Sequence, residues 1–389
     1  MKLRKDKWQT VNIGDVVYEL RNTANNPMEE GYERYIGFEH IQPENIYLNE
    51  FGDLNDGVTF KKTFEKNDVL FGKIRAYLKK VAIAPIDGIC SGDILVLRTK
   101  NEDELSQTLL PYFLTTESFL KRAVDSSIGT TLPRTKWQHL AKHKVPLPPL
   151  KEQKQIAALF QSIETAMEQV DGQEKNLKSL QKNLVNGLVS TEPVFGNLLN
   201  SSKGRKFSAL TPTTFGEIAE CDKKYPEHEK EVERFVGLEW IEPENFQLQG
   251  FGLIANGTTF TKRFAKDDVL FGKRRAYLKK VAVADFDGIC SGDILVIRAK
   301  AKKMLQGLLP YYISADAFIQ HAVSTSAGSL SPRTKWKDLE TFEVSIPDLK
   351  TQEKILEVLN QFDTTIKQLK QQKATLKLLK QKLLNEILG

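Results

Sequence analysis

Ile94 to Leu97 is an uninterrupted apolar run, and the run returns at Ile294 to Ile297. Short apolar runs bounded by turn residues predict strands buried on both faces. Upstream, DVLFGK and VAIAP predict two strands that bracket a basic connection, Lys73 to Lys80. Apolar residues alternate on either side of a Pro-Glu-Asn turn in Tyr35–Leu48 and in Phe235–Leu248, which predicts strands joined by a short connection. A strand-like segment follows Gly14, with a counterpart around Gly216. One helix is predicted from Leu109 through Phe119 to Ala123, matched by Leu308 to Val323. Next come loops that lead into a short helical turn, Ser126–Leu140 and Thr325–Leu339. Val145–Leu150 and Val344–Leu349 read as strands closed by proline.

Beyond each proline exit the period changes to that of a long helix. Ile156, Leu159, Ile163, Ala166, Val170, Gln173, Leu177, Leu180 and Leu184 fall at heptad a and d positions. Ile355, Val358, Phe362, Thr365, Leu369, Gln372, Leu376, Leu379 and Leu383 do the same in the second helix. The pattern predicts coiled-coil pairing, and a helix of about 38 residues would be ~57 Å long.

These elements occur twice. Val69–Arg98 and Val269–Arg298 share 25 of 30 positions at an offset of 200. They differ at Ile74/Arg274, Ile83/Val283, Pro85/Asp285, Ile86/Phe286 and Leu97/Ile297. After Arg98 the offset becomes 199, so one residue has been gained or lost before Leu110, which places that segment in a surface loop. The expected fold is α+β: two similar mixed α/β domains separated by two long antiparallel coiled-coil helices, with a pseudo-two-fold internal repeat. Expected boundaries are a first domain at 1–148, a spacer helix at 149–189, an exposed linker at 190–213, a second domain at 214–347 and a second helix at 348–389.

Composition adds bounds. The chain has 389 residues, 40% hydrophobic and 27% charged, which suits two soluble cores. No apolar run approaches the ~20 residues of a membrane span, so a cytoplasmic protein is expected. The three cysteines, Cys90, Cys221 and Cys290, include no CxxC pair and suggest neither a disulfide framework nor a zinc site. A net charge of +6 is modest for a nucleic-acid binder, so its distribution matters more than its size.

Catalytic motifs are missing. There is no GxGxxG, Walker A, HExxH, GxSxG or [DNS]PP[YF] sequence. No histidine is duplicated: His40 faces Trp240, His139 faces Asp338, His143 faces Phe342, His321 faces Arg122, and His228 lies where the halves diverge. Among the repeated acids, Asp87 and Asp287 read as turn residues, and Asp93 and Asp293 as tethers of the strand that follows. A nuclease would instead need the latter two at a metal.

The basic residues carry the stronger signal. Lys61, Lys62, Lys73, Arg75, Lys79 and Lys80, with Tyr77 among them, match Lys262, Arg263, Lys273, Arg274, Arg275, Lys279, Lys280 and Tyr277. Arg134 and Lys136 beside Trp137, and Arg333 and Lys335 beside Trp336, form a second basic loop per copy; the tryptophans read as anchors beneath it. Phosphates attract cations, and base edges are read by forked donors. Lys79, Lys80, Lys279 and Lys280 are expected at phosphates; Arg75, Arg274 and Arg275 are expected at bases.

Two modules ending in GTTLPRTKWQHLAKHKVPLPPLKEQKQI and GSLSPRTKWKDLETFEVSIPDLKTQEKI, each followed by a heptad helix, resemble the specificity subunit of type I restriction-modification enzymes. The resemblance covers essentially the whole chain. The second copy departs at Pro347-Asp348-Leu349 but keeps the spacing of Gln352 and Ile355. The resemblance implies two target-recognition domains, each reading half of a split double-stranded DNA target, and no cofactor in this chain. It implies two modification subunits that use S-adenosylmethionine for adenine-N6 methylation, and a motor-nuclease restriction subunit that uses ATP and Mg²⁺. Near-identical reading segments further predict a nearly palindromic interrupted target. The rivals are a specificity protein of a modification-only or other methyltransferase-based defence complex, a coiled-coil nuclease using Asp93 and Asp293, and a scaffold for acidic protein surfaces.

Overall fold

The computed structural model describes residues 3–189, 210–221 and 232–389. It forms two compact units, Met1–Asp171 with Lys370–Gly389, and Gly172–Leu369. The expected linker, up to residue 209, and His228 lie outside the described residues.

The first unit opens with β1 (Gln9–Asn12), α1 (Ile13–Val16), β2 (Val17–Leu20), β3 (Arg34–Ile36) and β4 (Gly52–Asp53). Then follow β5 (Lys62–Phe64), β6 (Val69–Gly72), β7 (Val81–Ile83), β8 (Gly88–Cys90) and β9 (Ile94–Thr99). One sheet runs β2-β9-β6-β7, all antiparallel, and a second runs β4-β3-β8-β5 with β3 and β8 parallel. The pleat explains the continuous apolar run. Leu95 and Leu97 point into a core shared with the helices, while Ile94 and Val96 point into a core shared with the second sheet. Val69 and Phe71 on β6 face the first core, and Leu70 faces the second.

The expected single helix is two, α2 (Leu110–Phe113) and α3 (Glu117–Asp125). Thr116 stands in extended conformation between them and caps α3, its hydroxyl accepting from the Phe119 amide at 3.4 Å. The Pro-Glu-Asn segment also differs from expectation, because only Arg34–Ile36 is a strand. Glu44 takes a left-handed φ of 61° there, and Tyr47 makes a single bridge to Ile83. Ile41, Ile46 and Leu48 are nevertheless buried. The unit closes with α4 (Trp137–Leu140) and β10 (Lys144–Leu147), which pairs with β1 and so brings entry and exit of the domain together.

The second unit repeats this plan. Its first elements are β11 (Thr211–Thr214), α6 (Phe215–Ile218), β12 (Ala219–Cys221), β13 (Arg234–Val236), β14 (Gly252–Leu253), β15 (Lys262–Phe264), β16 (Val269–Gly272) and β17 (Val281–Val283). They are followed by β18 (Gly288–Cys290), β19 (Ile294–Ala299), α7 (Leu309–Ser314), α8 (Asp316–Ser324), α9 (Trp336–Leu339) and β20 (Glu343–Ile346). The sheets β12-β19-β16-β17 and β14-β13-β18-β15 match those of the first unit. Strand β11 takes up the last residues of the segment read as linker, paired with β20.

Two 40-residue helices run between the globular parts in sequence, α5 (Leu150–Val189) after the first and α10 (Leu349–Leu388) after the second. At 1.5 Å per residue each is about 60 Å long. In the first unit their segments are antiparallel, joined by ion pairs Glu164–Lys380 and Asp171–Lys373. In the second, Gln181 donates to Asp363 at 2.6 Å. The buried stripe of α5, Ile156, Phe160, Ile163, Met167 and Val170, keeps a heptad spacing, but Phe160 and Met167 take the places expected for Leu159 and Ala166, because this end also packs into the domain core. Leu159 and Ala166 are only partly buried, and Gln173, Leu180, Gln372 and Leu379 are exposed.

Candidate nucleic-acid interface

Each domain carries one basic surface made of two loops fastened together. The first loop spans Lys73–Lys80 between β6 and β7. It folds around a 3-10 turn, Ala76–Leu78, whose buried Ala76 pins it to the core. Arg75 and Lys79 on either side have left-handed φ of 46° and 53°, and Arg275 and Lys279 repeat this at 53° and 51°. Non-glycine residues in that region cost about 1–3 kcal/mol each and need a surrounding structure that enforces them. The enforcement comes from the second loop. The Arg75 amide donates to the Pro133 carbonyl at 2.9 Å and the Thr135 amide to the Lys73 carbonyl at 3.0 Å. Arg275 to Pro332 and Thr334 to Lys273 repeat these bonds at 2.8 and 3.1 Å.

The second loop is itself a hairpin. The Ile128 and Arg134 backbones exchange bonds at 2.9 and 3.0 Å, and Ala327 and Arg333 do so at 3.0 Å each way. Gly129 and Gly328, at φ of 113° and 106°, sit where a side chain would be strained. Behind each hairpin Trp137 and Trp336 are half-buried against the core, with Trp336 5.7 Å from the Phe215 ring. They anchor the loops from beneath.

The structure sorts the predicted cations. Arg134 grips Asp93 with both arms of its guanidinium, at 2.8 and 3.2 Å, and Arg333 grips Asp293 at 2.7 and 3.1 Å. The Arg333 hydrogen bond holds the Asp293 carboxyl below the usual aspartate range. Asp93 and Asp293 thus orient a forked donor, and a carboxylate engaged in this way is a poor metal ligand. Among the described residues no group of three or more His, Cys, Asp or Glu side chains is placed to hold a metal ion. Asp87 and Asp287 accept from the Lys66 and Lys266 amides at 2.7 and 2.8 Å and complete turns.

Four lysines expected at phosphates have partners within their own unit. Lys80 donates to the Phe38 carbonyl at 2.8 Å and lies 4.2 Å from the Phe38 ring centre, and burial lowers its pKa. Lys280 donates to the Leu238 carbonyl at 2.6 Å. Lys79 pairs with Glu44 at 3.3 Å, whereas Lys279 pairs with Asp316 on α8. Lys62 and Lys262 reach the Ile94 and Ile294 carbonyls at 3.0 and 2.9 Å. Among the described residues Lys73, Arg75 and Lys136, and likewise Lys273, Arg275 and Lys335, have no ion-pair partner, and Tyr77 and Tyr277 are 57% and 54% exposed between them. Arg274 is the exception to the symmetry: it donates to the Ser331 hydroxyl at 3.0 Å and approaches Asp293 at 3.9 Å, where Ile74 is buried. Sequence reasoning missed the grip of Asp on Arg, because its partners lie 40 or 41 residues apart and both had separate explanations.

Residues 5–178 and 212–378 each match the family model for the type I restriction modification DNA specificity domain. The chain belongs to this family. Among individual members, the type I restriction enzyme EcoDI specificity subunit of Escherichia coli is 30% identical over 178 residues, which is 45% of this chain and 39% of that protein. The putative type I restriction enzyme MjaX specificity subunit of Methanocaldococcus jannaschii is 24% identical, across 91% of this chain and 86% of its own length. In fold the chain is similar to one in a structure described as the basis of complex assembly and conformational transition of the type I R-M system. That match has a TM-score of 0.60 at 18% identity and covers 99% of this chain and 98% of that one. The type I restriction-modification S subunit from M. genitalium superposes with a TM-score of 0.56 at 16% identity, covering 100% and 98%. Both specificity domains of this family member carry their basic loops at matching positions. No helix among the described residues is long and apolar enough to cross a membrane.

Proposed function

We propose that this chain is the DNA-reading subunit of a cytoplasmic type I restriction-modification complex and performs no chemistry of its own. Its ligand is double-stranded DNA, and each domain reads one half of an interrupted target. Two modification subunits would bring S-adenosylmethionine and methylate adenine at N6. A restriction subunit would bring ATP and Mg²⁺.

The observation that carries this reading is the duplicated pair of fastened loops, with Arg75, Tyr77 and Lys136 in one domain and Arg275, Tyr277 and Lys335 in the other exposed to solvent, the half-buried Lys73 and Lys273 beside them, and none of these cations in an ion pair among the described residues. Arg75 and Arg275 on rigid turns suit base edges, where a forked donor is worth ~1–3 kcal/mol of discrimination. Lys73, Lys136, Lys273 and Lys335 suit phosphates. Since the loops share one backbone, the two half-sites are similar sequences in inverted orientation.

Co-expression of the chain with its modification subunit, followed by mapping of N6-methyladenine on the host DNA, tests the proposal. Methylation at one discrete interrupted sequence is expected, lost when the chain is omitted. Methylation indifferent to the chain would refute it. Affinity capture of the chain distinguishes a restriction complex, which recovers a large helicase-bearing subunit, from a modification-only one.

A further inference from the structure

The hairpin tips differ in chemistry between the two domains. In the second domain Leu330 is 90% exposed, the most exposed large apolar side chain among the described residues. A lone exposed leucine is ordinary. This one stands on a tip clasped by three arginines. Arg275 donates to the Leu330 carbonyl at 3.5 Å, Arg274 to the Ser331 hydroxyl at 3.0 Å, and Arg333 to the Ser331 carbonyl at 3.5 Å while held by Asp293. The backbone that carries the leucine is therefore held in place among cationic side chains. In the first domain Thr131 occupies the matching position, Leu132 follows it at 42% exposure, and Ile74 replaces the clasping Arg274.

A cationic surface selects a polyanion, and an exposed apolar side chain on a held backbone within it suits an apolar feature on that polyanion. The major-groove edge of duplex DNA offers one, the C5-methyl group of thymine. We propose that Leu330 contacts a thymine methyl in the half-site read by the second domain, and that the shorter Thr131, which stands in its place in the first domain, does not reach the equivalent methyl. The proposal rests on the DNA-reading function above and names a point at which two otherwise similar half-sites are distinguished.

The test uses the full chain in complex with its modification subunit and duplexes bearing the mapped target, with each thymine replaced in turn by deoxyuridine. Removing one buried methyl is expected to weaken wild-type binding about fourfold, the equivalent of ~0.8 kcal/mol. The loss that depends on Leu330 should occur at one thymine, in the half-site read by the second domain. Leu330→Ala should abolish that sensitivity, and Leu330→Met, which keeps an apolar tip, should preserve it. A deoxyuridine scan that is identical for wild type and Leu330→Ala overturns the proposal. So does a Leu330→Ala complex that binds more weakly yet keeps the same methyl dependence, which would mark a wedge between base steps. A wild-type complex that binds every deoxyuridine duplex alike also overturns the proposal, whereas one that binds a duplex without the target as tightly as the target refutes the functional reading itself, and the two failures are thereby told apart.

Discussion

Ile74 is buried at the root of the first hairpin, where in the second domain Arg274 reaches Ser331 and Asp293. Lys79 pairs with Glu44 in one domain, while Lys279 turns instead to Asp316, which Asn186 and Lys182 of α5 also contact. Yet the backbone bonds that fasten the two loops together recur in both domains, as do both left-handed residues of each loop. The duplication has kept the scaffold that presents the loops and varied what the side chains grip. The same holds along the helices. Glu164 and Lys380 form a buried ion pair in the first unit, and the matching positions in the second hold Asp363, bonded to the Tyr311 hydroxyl, and Gln181.

The sharpest way to break this comparison is at the helices. Lys380→Met leaves Glu164 buried without its partner, and a destabilisation of the first unit of ~3 kcal/mol is expected. Gln181→Ala, at the matching place in the second unit, should cost only ~1 kcal/mol. Hydrogen exchange of the core strands β6 and β9, compared with β16 and β19, reads the two effects separately.

Glu164 also sets a pH dependence. Burial raises its pKa, against the lowering effect of Lys380. A carboxyl that binds its proton more tightly when folded makes the folded state lose stability as pH rises from the ordinary glutamate range through the raised value. Glu164→Gln should remove this slope from the first unit, as followed by hydrogen exchange at several pH values.

At the reading loops, Arg75→Ala and Arg275→Ala are each expected to lose ~1–3 kcal/mol of discrimination at one base pair, in opposite half-sites. Competition binding with singly substituted duplexes measures this. The smallest effects belong to the lysines. Lys73→Ala or Lys273→Ala should reduce the slope of log affinity against log salt by about one, while Lys80→Ala and Lys280→Ala, whose ammonium groups bond to Phe38 and Leu238, should leave the slope unchanged.

The repeat, the two strands around the basic loop and the long helices are legible in the sequence because each rests on local periodicity. Partners that meet only in space are not. Lys80 and Phe38 lie 42 residues apart, so nothing near Lys80 in the chain signals that it is a peg of the fold. Phe160 and Met167 each lie one residue beyond Leu159 and Ala166, the positions that the expected heptad register picks, and become core residues because α5 serves a domain as well as another helix. The break at Thr116 is a capping event inside an otherwise helical pattern, which periodicity overrides.

The measurement that bears most directly on the similarity of the two domains is the sequence of the methylated target. Two half-sites that agree in inverted orientation across an unread gap, apart from the bases facing Arg274 and Leu330, are what the shared loop scaffold predicts. Two unrelated half-sites would contradict it.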